Sequence, residues 1–141
     1  MKILLALDSS EKTMEEAVKT AREKNAFLTG IFVLDATWNE YIGHDWLSGS
    51  NARAGFLDYV KNEEQLEAEK TVRDFEARAA GVPHEAKVAP GRVPEEICRE
   101  LAAGGYDLLI MSHPFRRGLE IVRDPLPKIL KGSSCPVLLV R

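Results

Sequence analysis

Ile3 to Leu7 is an unbroken apolar run with no polar residue in alternation, the pattern of a strand covered on both faces, as the central strands of parallel sheets are. The strand predicted over Lys2 to Asp8 ends on an acidic residue. Ser9 or Ser10 can then accept hydrogen bonds from the free N–H groups of a following helix, in which Met14, Ala17, Val18 and Ala21 recur at helical spacing. Phe27 to Leu34 reads as a second apolar strand. Phe56, Val60, Val72, Phe75 and Ala79 mark a long amphipathic helix that ends near Gly81, a residue suited to a left-handed cap. His84 to Ala89 reads as a short third strand. Pro90, Gly91 and Pro94 are expected to turn the chain into a third helix, with Glu95 and Glu96 in its first turn, where the helix dipole favours carboxylates. Gly104 and Gly105 close that helix. Asp107 to Met111 is a fourth strand, Leu126, Ile129 and Leu130 belong to a last helix, and Pro136 to Val140 carries the fifth strand.

The order βαβαβαβαβ predicts the α/β class: parallel strands, right-handed crossovers and helices on both faces of one sheet. No internal repeat, linker or low-complexity tract divides the chain, so residues 1–141 are expected to form a single domain. A chain of 141 residues buries roughly 70% of the surface its unfolded form exposes, enough for a core without covalent staples. The apolar share of 45% and the charged share of 29% fit neither a disordered chain nor a membrane span. The formal net charge is −3, and no basic cluster exceeds Arg116 and Arg117, which argues against a nucleic-acid partner.

Cys98 and Cys135 stand far apart among core-like residues and read as buried thiols rather than a disulfide or a metal knuckle. The apolar run behind Lys2 is too short for a signal peptide or a membrane helix, so a cytoplasmic location is expected. His44, His84 and His113 fall in different elements with no metal-ligand spacing, and no metal site is expected. Nor is there a nucleophile elbow or a paired-carboxylate motif, so no catalytic residue is expected, which leans against an enzyme. Residues 35–50, with Trp38, Tyr41 and Trp46, show no clear period. Those aromatics either cap a pocket, face a partner or pack over the sheet edge.

Three segments in order, Lys2 to Glu11 (KILLALDSSE), Pro90 to Met111 (PGRVPEEICRELAAGGYDLLIM) and Cys135 to Arg141 (CPVLLVR), resemble the universal stress protein family across essentially the whole chain. The resemblance implies a five-stranded sheet of order 3-2-1-4-5, with ligands at the switch point between strands one and four. It also implies an ATP site in many members: a strand-one Asp, a strand-two Val and a Gly-x2-Gly-x9-Gly-[Ser/Thr] motif after strand four. Such glycines let backbone N–H groups approach phosphates. Asp8 and Val33 match the first two elements. The glycine positions do not match: Ser112 and Phe115 stand at the first two, Arg123 and Asp124 at the last pair. Seven residues, 116–122, fill the gap where the motif has nine.

Asp124 followed by Pro125 makes a suitable N-cap and first-turn pair and sets a carboxylate where a phosphate would bind. Binding of ATP in the family's usual mode, or of any cofactor, is therefore not expected. The residues instead leave a candidate pocket of Asp8, Ser9, Val33, Ser112, His113, Arg116 and Arg117 for a small anionic ligand, ATP or AMP being the alternative to none. Asp8 reads equally as a turn former before two serines. Val137, Leu138, Leu139 and Val140 would form an exposed apolar edge strand unless paired, and the resemblance implies a homodimer through that strand.

Overall fold

The structure, a computed structural model, describes residues 1–35, 65–115 and 125–141. Its strands are β1 (Lys2–Ala6), β2 (Phe27–Asp35), β3 (His84–Gly91), β4 (Leu108–Ser112) and β5 (Val137–Val140). Its helices are α1 (Glu11–Lys24), α2 (65–78), α3 (Val93–Gly104) and α4 (Leu126–Gly132). All strands pair in parallel in the order β3-β2-β1-β4-β5.

The apolar run of β1 divides between the two faces of the sheet by strand alternation. Ile3, Leu5 and Leu7 join a cluster with Met14, Ala17 and Val18 of α1 and Phe75 of α2. Leu4 and Ala6 join the opposite cluster with Ile31, Val33, Leu109 and Met111, covered by Ile97 and Leu101 of α3 and Ile129 of α4. Leu4 and Leu5 are both wholly removed from water, one on each face, and each such burial stabilises by roughly 1.5–3 kcal/mol. The absence of polar alternation in the sequence is thus explained by helices above and below.

Local chemistry sets the ends of the elements. Ser10 caps α1, and its side chain accepts from the backbone N–H of Thr13. Asn25 closes α1 in the left-handed region at φ 53°. Gly105 does the same for α3 at φ 65°, and Glu95 and Glu96 lie in that helix's first turn.

Four expectations are corrected. Regular pairing in β1 ends at Ala6 rather than Asp8, the last ladder bond running from the Leu7 N–H to Ile31 O at 2.9 Å. Pro90 and Gly91 complete β3 instead of forming a turn. A proline is tolerated there because, among the described residues, β3 is an edge strand. The last helix has Pro125, not Asp124, at its N-cap, with a proline again in the first turn. Asp124 lies outside the described residues. Cys98 and Cys135 are free thiols but only half-buried. Cys98 lies at the helix contact where a Cβ on Gly132 would stand 2.8 Å from its sulfur, and burial pushes that thiol's pKa up.

Candidate switch-point site

The strand order reverses at β1: the chain leaves β1 toward β2 and leaves β4 toward β5, on opposite sides. Ligands of open α/β sheets collect in the crevice this creates beyond the carboxyl ends of the strands. Asp8 stands at that end of β1 and is 2% exposed. Its Oδ1 accepts the backbone N–H of Ser10 at 3.1 Å, so the turn-forming role is realised. Ser112, the last residue of β4, is 3% exposed and registers with Val140 of β5.

The structure joins these two sides through a residue that sequence reasoning missed, Thr13. Its backbone N–H donates to Ser10 Oγ at 3.3 Å, and its hydroxyl donates to the same oxygen at 3.0 Å. Thr13 Oγ1 also lies 2.6 Å from Ser112 Oγ. A threonine hydroxyl has one proton, here spent on Ser10, so Ser112 is the donor in that bond and the chain of hydroxyls runs from Ser112 through Thr13 to Ser10. A signal for Thr13 was present: it falls on the apolar stripe of α1 beside Met14 and Ala17, and a hydroxyl on a buried face needs a buried partner.

Val33, 3% exposed on β2 opposite Ala89, belongs to the cluster on the α3 and α4 face. Ser9 is exposed. His113 is half-buried and gives its backbone N–H to Val140 O at 2.9 Å, the last bond of the β4–β5 ladder. Phe115 packs on the same cluster as Leu126 and Ile129. Arg116, Arg117, Arg123 and the aromatic group Trp38, Tyr41 and Trp46 lie outside the described residues.

Away from the crevice, a depression of about 330 Å³ on the outer side of α1 is lined by Glu15, Val18, Lys19, Arg22 and Arg78. The Arg78 charge is already engaged there by Glu15 at 2.8 Å, Asp74 at 3.1 Å and Glu11 at 3.4 Å. Among the described residues no group of three or more His, Cys, Asp or Glu side chains is placed to hold a metal ion. No described helix is long and apolar enough to cross a membrane.

These features define a doubly wound parallel α/β protein with its polar site at the topological switch point. The chain belongs to the universal stress protein family, whose pattern it matches over residues 1–141. The universal stress protein UspA from Lactobacillus plantarum superposes with a TM-score of 0.76 at 19% identity, covering 100% of this chain and 97% of that one. One from Archaeoglobus fulgidus in complex with dAMP gives 0.65 at 11%, covering 99% and 96%. A family member from Arabidopsis thaliana with AMP bound gives 0.59 at 18%, covering 99% and 90%. No curated protein matches the chain by sequence.

Proposed function

We propose that this protein is a non-catalytic regulatory module of its family, a homodimer joined through β5, which does not hold ATP in the glycine-lined manner that the resemblance implies. The observation that carries this reading is the state of two positions where glycines would leave backbone open to a phosphate. Ser112 is buried, with its hydroxyl engaged by Thr13, and Phe115 packs into the core cluster beneath α4. A side chain at either position keeps a phosphate from reaching backbone N–H groups at close range. The β5 edge supports the second half of the reading, since Leu138 and Leu139 are each 39% exposed on a strand that lies at the sheet edge among the described residues.

The test is calorimetric titration of the purified protein with ATP. No saturable heat is expected at micromolar nucleotide; saturation in that range, or ATP carried through purification, overturns the reading.

A second reading is that the same crevice takes a mononucleotide such as AMP, without dependence on a phosphate loop. It is favoured by the buried polar pair Asp8 and Ser112 at the carboxyl ends of β1 and β4, and by relatives of this fold with AMP or dAMP bound. A saturable rise in melting temperature with AMP supports it, and an unchanged melting temperature up to millimolar AMP removes it.

A further inference from the structure

We propose that the Ser112–Thr13 hydroxyl bond is an internal latch across the switch-point crevice, an autoinhibitory contact that an entering ligand has to displace. The proposal rests on the reading that this crevice takes a mononucleotide.

The argument begins with topology. β4 ends at Ser112 on one side of the crevice, and α1 begins the path away from β1 on the other. A bond between Ser112 Oγ and Thr13 Oγ1 therefore ties together the two walls between which a ligand of this fold enters. At 2.6 Å it is a well-formed bond, inside the range of about 2.5–3.0 Å for O–H···O hydrogen bonds. Both residues are nearly inaccessible, Thr13 at 1% and Ser112 at 3%, so water does not compete for either partner.

Direction adds to the effect. Each hydroxyl in the sequence Ser112, Thr13, Ser10 donates to the next, and bonds in such a chain polarise one another. The chain ends on Ser10, which also receives the Thr13 backbone N–H and whose own backbone N–H donates to the Asp8 carboxylate. Spreading the walls separates Ser112 from Thr13 and leaves the buried Ser112 hydroxyl without this acceptor unless the ligand supplies one, while Thr13 keeps its bond to Ser10. The closed form is thus favoured by the differential cost of opening, and the apparent affinity falls by the fraction of protein that is open.

Three variants test this: Thr13→Val, which removes the hydroxyl at constant shape, Ser112→Ala, which removes the donor, and Thr13→Ser, which keeps the bond. AMP is titrated into each by calorimetry, and melting temperatures are recorded in parallel. Thr13→Val and Ser112→Ala are expected to melt lower than the wild type yet bind AMP roughly two- to tenfold more tightly, the range set by the net worth of one hydrogen bond. Thr13→Ser is expected to match the wild type in affinity. Equal affinity in wild type and all three variants overturns the latch while the mononucleotide reading stands. No binding by any of the four overturns both. Either hydroxyl-deleting variant suffices if the other does not fold.

Discussion

Gly30 has no room for a side chain. A Cβ at this position in β2 would stand 2.9 Å from Phe75 Cε2, whose ring is fully buried against the sheet. Gly30→Ala is expected to lower stability by about 1–3 kcal/mol, the usual cost of an overpacked core, in urea denaturation. Pairing it with Phe75→Leu relieves the clash, so the double variant loses less than the sum of the two single losses.

Tyr106 provides a second residue-scale case at the opposite end of the sheet from the crevice. Its ring lies over Gly104 and 4.7 Å beneath the Lys2 ammonium, and its hydroxyl donates to Glu100 at 2.7 Å. Burial, reinforced by that carboxylate, pushes its pKa from 10.0 up to about 12. The folded state holds the phenolic proton more tightly than the unfolded chain does. This contribution is therefore complete below pH 10 and disappears as pH rises from there toward 12. Across that window Tyr106→Phe is expected to lose less stability than the wild type, by up to roughly 2–3 kcal/mol, in denaturation curves taken on either side of it.

At the scale of elements, α1 depends on its first turn. Ser10 satisfies the free N–H of Thr13 and also receives its hydroxyl, so Ser10→Ala removes the cap and the end of the hydroxyl chain together. A loss of about 1 kcal/mol is expected from the cap, read as a lower melting temperature. Apolar periodicity made the strands and the faces of the helices legible, because burial on both sides leaves a continuous run in β1 and a stripe in α1. The caps were readable to within a residue, as Ser9 or Ser10 before α1 and Gly104 or Gly105 after α3, and the structure puts them at Ser10 and Gly105. Pro90 and Gly91 misled because a turn and the end of an edge strand accept the same residues, and only pairing distinguishes them. In the site, Asp8 and Ser112 were named through the family resemblance, as its strand-one Asp and its first glycine position, and the structure places both at strand ends. The bond from Ser112 to Thr13 links residues 99 positions apart, and no local pattern reports a contact of that range.

At the scale of the whole molecule the two sheet edges differ. On β5, Leu138 registers with Ile110 and Leu139 with Met111, and those partners belong to the two opposite core clusters. The edge therefore exposes apolar surface on both faces at once, so a strand added there would extend both layers of core. In sedimentation at tens of micromolar the protein is expected to run as a dimer, and Leu138→Lys with Leu139→Lys as a monomer. A monomeric wild type removes the proposed pairing.

The other edge is β3, where Glu85, Lys87 and Pro90 are exposed and Lys87 is held by Glu100 at 3.0 Å and lies 3.8 Å from Glu85. A strand approaching it meets fixed charges of both signs and a proline that offers no N–H. Two copies joined at β5 would end in two such strands, one at each extremity. Such a pair would leave no second β5 edge free, and among the described residues further growth would have to begin at β3, against its charges and its proline, which disfavours elongation into a fibre.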